Sequence, residues 1–284
     1  MKRKKIIDLK ERCFSVCKFL FVPLIFLICF SNLYSQDDYK DYRINKYFLT
    51  DMKDDFVGVI SSPCKWNNKD VFRFSAVIGG GLLLYVLDED IHQWIQENRN
   101  ESTENFSRFV SDFGHGLFIG GLALSLYAVG EIADNYSFRK TGLLCLESWL
   151  TAGVLTLSLK TIIGRARPYA EKGPMVFNPF SSGSENHSFP SGHAVSAFAA
   201  AAVFADQTDM VFLDILSYSL AGAVALSRSY NNQHWASDIF IGSALGYFIG
   251  KKVCILNRDN KNKRYAMSFS LSPAYQGMTI SFRF

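Results

Sequence analysis

The strongest constraint on the fold of this 284-residue chain is a series of six apolar segments separated by polar stretches. They are Val71–Leu87, Phe109–Gly130, Gly142–Ile163, Gly192–Ala205, Val211–Leu226 and Ile239–Gly250. Apolar segments of this length that are rich in Gly, Ala and Ser favour helices whose backbones pack closely together. The sequence therefore predicts an all-α fold, a bundle of about six core helices that is embedded in or associated with a membrane.

The first 35 residues have the layout of a secretory signal. Residues 1–35 hold seven Lys or Arg and two acids, and the apolar stretch Phe19–Phe30 is followed by the polar stretch Ser31–Gln36. An apolar run of this length is short for a membrane span, which favours a signal cleaved after Ser35. An uncleaved N-terminal anchor is the alternative.

Composition divides the rest of the chain into three parts. Residues 36–70 are polar with scattered aromatics, which predicts a linker or a short surface helix. Residues 71–252 contain all six apolar segments and form the predicted helical domain. In residues 253–284 a basic segment precedes alternating apolar and polar residues around a turn, which predicts a short C-terminal β-hairpin. Without residues 1–35 the chain has 23 basic and 24 acidic residues, so its charge gives no surface for nucleic acid.

Three cations in two polar segments form a candidate phosphate clamp. Lys160-x6-Arg167-Pro168 supplies two of them, and Ser227-Arg228 supplies the third. Phosphoryl transfer spreads negative charge over the non-bridging oxygens, and fixed cations against those oxygens speed the reaction. Lys160 and Arg167 share one helix face if the helix continues as far as Pro168.

The segment Pro190-Ser191-Gly192-His193 reads as a turn that opens a helix. Ser191 is the predicted N-cap, and free backbone N–H groups at a helix start bind anions. Gly192 lets the backbone approach a phosphate closely. His193 is then the candidate general acid beside the leaving group.

His234 and Asp238 are the candidate nucleophile and its partner. Their spacing of four lets a carboxylate reach an imidazole on one helix face, where it fixes the tautomer and stabilises the imidazolium. His234 would attack phosphorus and form a phosphohistidine, which water then hydrolyses. The cations carry the charge in this scheme, so we expect neither a metal site nor a cofactor.

These residues form three sequence motifs, which are Lys160-x6-Arg167-Pro168, Pro190-Ser191-Gly192-His193 and Ser227-Arg228-x5-His234-x3-Asp238. Together the three motifs resemble the signature of the type 2 phosphatidic acid phosphatase family. That family also includes soluble bacterial acid phosphatases and vanadium-dependent haloperoxidases. Every signature position matches, and the resemblance covers residues 71–252. It implies that His234 is the nucleophile, Asp238 its partner and His193 the acid. It also implies a set of phosphate-binding residues. They are Lys160, Arg167, Ser191, Gly192 and Arg228.

Loop charges bear on the orientation of the site. Residues 88–105 hold six acids and one Arg, whereas residues 251–264 hold six Lys or Arg and one Asp. By the positive-inside rule, six spans with a cytoplasmic tail put all three motifs on the extracytoplasmic face. A cleaved signal would reverse that order, and the mean hydropathy of +0.07 is low for a polytopic protein. Three alternatives therefore stay open: the leader does not translocate the chain, one segment fails to span, or the bundle is soluble in the periplasm.

The leading hypothesis is a metal-independent phosphatase of the bacterial cell envelope that acts on a lipid phosphate or another phosphomonoester. Phosphatidate, phosphatidylglycerophosphate, undecaprenyl pyrophosphate and lipid A phosphate all fit the resemblance. A vanadate-dependent haloperoxidase and a soluble non-specific acid phosphatase are the alternatives. Outside the motifs, we interpret His115 as a structural histidine, His187 as a solvated loop histidine and Arg165 as a solvated charge.

Overall fold

A computed structural model describes residues 42–266, 268–274 and 277–283 of the protein. The predicted leader, residues 1–35, lies outside the described residues. Within the described ranges the chain forms nine α-helices and two strands. The helices are α1 Lys46–Ile60, α2 Asn68–Val86, α3 Asp88–Glu97, α4 Glu101–Ser111, α5 Gly116–Ile132, α6 Tyr136–Ile163, α7 Gly192–Gln207, α8 Val211–Tyr230 and α9 Ala236–Ala266. The helical bundle that the sequence predicts is confirmed.

The C-terminal part begins as helix. Helix α9 runs past the predicted domain boundary at residue 252 and ends at Ala266, so much of the basic segment is helical. Strands β1 Ser268–Ala274 and β2 Gly277–Arg283 follow and pair antiparallel.

Helix α7 is the centre of the bundle, where it packs against α6, α8 and α9. Ten of its residues are buried, and most of them are alanines. Its backbone lies so close to α9 that a Cβ added to Gly246 would stand 2.2 Å from the Val195 carbonyl oxygen. Small side chains on both helices permit this approach, which is the reason that α7 can be enclosed on all sides.

Three described helices are long and apolar enough to cross a membrane, namely α6, α8 and the Ala236–Arg258 part of α9. The number rises to five if α2 with α3, and α4 with α5, each form one bent span; the bends are 60° and 54°. Helix α7 is not among them because it has only 16 residues. The six spans inferred from apolar content therefore overcount the described helices, since one apolar segment is core rather than membrane surface.

The direction of the helices brings the three motifs to one end of the bundle. Helices α6 and α8 end where α7 and α9 begin. The last turn of α6 carries Lys160, and the last turn of α8 carries Arg228. The first turn of α7 carries His193, and the first turn of α9 carries Asp238. Residues far apart in sequence thus meet at one polar surface.

Gly164 ends α6 in the left-handed conformation, with φ +61° and ψ 36°. A Cβ at this position would stand 1.9 Å from the Asn178 carbonyl oxygen. We expect Gly164→Ala to lower the free energy of unfolding by more than about 1 kcal/mol, because an L-residue is strained in this region even before the clash. Thermal unfolding in detergent, followed by circular dichroism, measures this loss.

Gly153→Ala is the matched control in the same helix. Nothing lies within 4 Å of a Cβ at that position, and alanine is the better helix former by about 1 kcal/mol. Equal melting temperatures for Gly164→Ala and the wild type would show that the left-handed turn is not required.

Candidate active site

Lys160 reaches the site from the last turn of α6, but Arg167 does not share its helix. The predicted continuation of the helix to Pro168 is wrong, because Gly164 already reverses the chain. Arg167 instead lies in an extended segment whose backbone N–H donates to the Glu185 carbonyl. Lys160 donates from Nζ to the His187 carbonyl. Lys160 therefore lies on the helix and Arg167 on the loop that follows it, so the two cations do not share one helix face.

Ser191, Gly192 and His193 open α7 as the sequence predicts. Ser191 occupies the N-cap position, although its side chain makes no capping hydrogen bond. Its backbone N–H donates to the Asp238 carbonyl at 3.1 Å, which ties the start of α7 to α9. A Cβ added to Gly192 would stand 3.8 Å from Lys160 Cε, so the glycine backbone lies directly beside the lysine side chain.

Arg228 fixes the loop that carries His234. Its carbonyl oxygen accepts hydrogen bonds from the backbone N–H groups of Gln233 and His234. Its own Nη1 donates to Ser111 Oγ, while the Gln233 side chain accepts a 2.6 Å bond from Arg167. The two arginines of the predicted clamp are therefore connected through the turn that presents the candidate nucleophile.

The tautomer of His234 follows from the hydrogen bond that its ring makes to Ser188. Its Nδ1 lies 2.6 Å from the Ser188 carbonyl oxygen, and the ring is only 2% exposed. A carbonyl can only accept, so Nδ1 carries the proton and Nε2 keeps its lone pair. Nε2 is therefore the ring nitrogen that has a lone pair available for a candidate nucleophile.

Asp238 does not orient His234 through a direct hydrogen bond, and that detail of the sequence prediction is wrong. Helix α9 begins at Ala236, so His234 lies in the turn before it and the two side chains do not share a helix face. The carboxylate instead accepts from the Trp235 backbone N–H at 3.1 Å, as the third residue of a capping box does. It also accepts from Ser188 Oγ, and so acts on His234 through the residue whose carbonyl binds the ring.

Arg165 is buried, which corrects its interpretation as a solvated charge. It is 1% exposed and donates 2.6 Å to Asp238 Oδ1 and 2.7 Å to Asp88 Oδ2. Asp88 in turn accepts from the backbone N–H and the hydroxyl of Ser237. We call this set of Asp88, Arg165 and Asp238 the Arg165 bridge. Sequence reasoning missed it because Asp88 is 150 residues from Asp238, and only the bend between α2 and α3 brings it to α9.

Three positive charges act on both candidate imidazoles. Burial lowers the pKa of His234 well below its ordinary value, and Lys160, Arg167 and Arg228 lower it further. Burial and then Arg228 lower the pKa of His193 to about 3, with Lys160 and Arg167 adding to the shift. Both rings are therefore neutral at pH 7 in the free protein. We call Lys160, Arg167 and Arg228 the cation cluster.

Several donors around the cation cluster are unsatisfied. Arg167 Nε, Arg228 Nε and Ser191 Oγ are buried and make no hydrogen bond to any residue that the structure describes. An unpaired buried donor costs about 1–3 kcal/mol, so such groups call for an explanation. The start of α7 adds free backbone N–H groups to the same place. Three cations and these donors fit an oxyanion with several oxygens.

Similarity to known proteins agrees with this chemistry. A family model described as the PAP2 superfamily matches residues 141–262. The lipid A 1-phosphatase of Rhizobium johnstonii is 32% identical over 233 residues, which are 76% of this chain and 88% of that protein. The lipid A 1-phosphatase of Porphyromonas gingivalis is 30% identical over 105 residues, which are 35% of this chain and 24% of that protein.

One solved structure with a similar fold is the transmembrane PAP2-type phosphatidylglycerolphosphate phosphatase from Bacillus subtilis. It is 21% identical, with a TM-score of 0.49 over 67% of this chain and 98% of that chain.

Arg165→Met should lower the free energy of unfolding more than Arg167→Met does. Arg165→Met leaves two buried carboxylates without their cation, and breaking such a pair costs about 3–5 kcal/mol. Arg167→Met is the matched control, because Arg167 forms no ion pair among the described residues and lies beside other cations. Chemical unfolding in detergent compares the two, and equal losses would contradict the Arg165 bridge.

Acid should destabilise the free protein through His193 and His234. Their folded pKa values lie below the unfolded value of 6.5, so the unfolded state binds more protons below that pH. Stability is therefore fully present above about pH 6.5 and falls on acidification by up to about 1.4 kcal/mol per pH unit for each ring. Melting temperatures between pH 7.5 and 5.0 measure this, and His193→Gln should flatten the decline. An unchanged slope in that variant would contradict the shift assigned to His193.

Proposed function

This chain belongs to the PAP2 superfamily of phosphatases, and we propose that it hydrolyses a lipid phosphate through a phosphohistidine intermediate. The observation that carries the proposal is the buried His234 ring, whose Nδ1 is bound to the Ser188 carbonyl while the cation cluster acts on the ring. The charge of the cluster does the electrostatic work of phosphoryl transfer.

In the first half-reaction the substrate phosphate lies in the cation cluster. The lone pair of His234 Nε2 attacks phosphorus, an N–P bond forms, and the bond between phosphorus and the leaving oxygen breaks. The charge of the bound phosphate opposes that of the cations, so it raises the pKa of His193 toward its ordinary value. His193 then gives a proton to the leaving oxygen and becomes neutral.

In the second half-reaction neutral His193 takes a proton from a water molecule. The water oxygen attacks phosphorus, the N–P bond breaks, and inorganic phosphate leaves with His234 restored. The Ser188 carbonyl and the Asp238 carboxylate behind it stabilise the positive charge that the His234 ring carries while it is bonded to phosphorus. The same two histidines thus serve both steps.

A lipid substrate is supported by the surface around the site and by the relatives. The loop between α6 and α7 exposes large apolar side chains next to the cation cluster, among them Met175, Phe177 and Phe180 at 67%, 42% and 74% exposure. Apolar side chains of this kind suit the membrane interface, where a lipid headgroup is presented. Since two relatives are named lipid A 1-phosphatases, we propose the 1-phosphate of lipid A as the preferred substrate.

We also propose that the site faces the extracytoplasmic side. The site lies at the end of the bundle where α9 begins, whereas the six Lys or Arg of residues 251–264 lie toward the other end of that helix. The positive-inside rule assigns that basic end to the cytoplasm.

His234→Ala should abolish phosphate release, because no other described group offers a lone pair in this position. The purified wild type should release phosphate from lipid A in the presence of EDTA and should be inhibited by orthovanadate. Quenching in alkaline SDS with a 32P-labelled substrate should trap label on the wild type and none on His234→Ala, because the N–P bond of a phosphohistidine is stable in base and labile in acid. Arg108→Ala is the control, since Arg108 is an exposed residue of α4 paired with Glu104. Full activity of His234→Ala would end the proposal, and loss of activity in EDTA would remove its metal-independent form.

A further inference from the structure

His115 lies directly beside the candidate acid His193. Their ring centroids are 5.9 Å apart at an interplanar angle of 78°. The backbone before His115 is packed against the same ring, because a Cβ added to Gly114 would stand 3.1 Å from His193 Cβ. No sequence motif points to this residue, since His115 precedes the first motif by 45 positions and only the packing of α5 beside α7 brings it here.

The tautomer of His115 is fixed by its own helix. It is the N-cap of α5, and its Nδ1 accepts a hydrogen bond from the Leu117 backbone N–H at 3.3 Å. Since Nδ1 is the acceptor, the proton of the neutral ring is on Nε2, on the far side of the ring from the helix. His115 is an exposed residue, so this donor is available to a ligand.

The segment that carries His115 is anchored to the site at two places. Ser111 Oγ accepts from Arg228 of the cation cluster. One helical turn earlier, Ser107 Oγ donates to the Ser227 carbonyl and to the Asn231 side chain. The segment before His115 is therefore held by residues at the end of α8, where Arg228 of the cation cluster lies. A histidine with no role at the site would not need this attachment.

We propose that His115 is a second substrate-contacting imidazole, which donates from Nε2 to an oxygen of the leaving group. This inference rests on the proposed function, because the leaving group lies on the His193 side of the phosphate only if His193 is the acid. A donor beside the acid favours leaving groups that carry further oxygens, such as the sugar of a glycosyl phosphate. It adds little for a para-nitrophenyl leaving group, because its further oxygens are the weakly accepting nitro oxygens on the side of the ring far from the bridging oxygen.

The test compares glucose 1-phosphate with para-nitrophenyl phosphate as substrates of the purified full-length protein. His115→Asn keeps the cap, because asparagine is among the best N-cap residues, but removes the imidazole. We expect kcat/KM of His115→Asn to fall about three- to tenfold on glucose 1-phosphate, the effect of one lost hydrogen bond. On para-nitrophenyl phosphate the change should stay below about twofold, with the melting temperature unchanged.

His115→Ala separates contact from capping, since it loses both. A merely structural histidine would give a normal His115→Asn and a destabilised His115→Ala, with equal effects on both substrates; this result would overturn the inference. A wild type that hydrolyses para-nitrophenyl phosphate but not glucose 1-phosphate would overturn it as well. If the wild type hydrolyses neither substrate nor lipid A, the proposed function itself fails, and this outcome is distinct from a failure of His115 alone.

Discussion

The buried guanidinium of Arg165 is the interaction on which the site depends. It lies between the carboxylates of Asp88 and Asp238 and donates its Nε to the Pro174 carbonyl. Through these bonds one side chain joins the bend between α2 and α3, the loop after α6 and the start of α9. Both carboxylates are buried, so the pairing is required: a lone carboxylate in this position would be costly. With the bridge in place, Ser188 has a fixed position and so does the ring of His234.

The cation cluster differs from the Arg165 bridge because it brings like charges together instead of pairing opposite ones. Lys160, Arg167 and Arg228 are like charges held close together, and two of the three keep a buried nitrogen without a partner among the described residues. A fold selected for stability alone would separate or pair them. Their arrangement is an energetic cost that a bound oxyanion, as we propose, would offset. The Arg165 bridge and the cation cluster therefore play different parts, although Arg165 and Arg167 are neighbours in one loop.

The sequence motifs singled out the candidate site residues, but they did not reveal several of the contacts that those residues make. Spacing alone suggested that Lys160 and Arg167 share a helix and that Asp238 touches His234. Both suggestions assumed that a helix persists between the two residues. Gly164 ends one helix early, and α9 starts two residues after His234, so each pair is arranged by tertiary hydrogen bonds instead. Glycine is a common residue at the end of a helix, so Gly164 before the charged segment was a sequence signal that the helix carrying Lys160 ends before Arg167.

Apolar periodicity and small-residue content by themselves determined that the chain is a helical bundle, because both are local properties of each segment. The three motifs led to the chemistry that we propose, because cations and imidazoles are properties of the side chains themselves. Only the tertiary structure decided that α7 is core rather than a span, that Arg165 is buried between two carboxylates, and that His115 lies beside His193. Those outcomes depend on contacts between residues as many as 149 positions apart, such as Asp88 and Ser237, which no local pattern encodes.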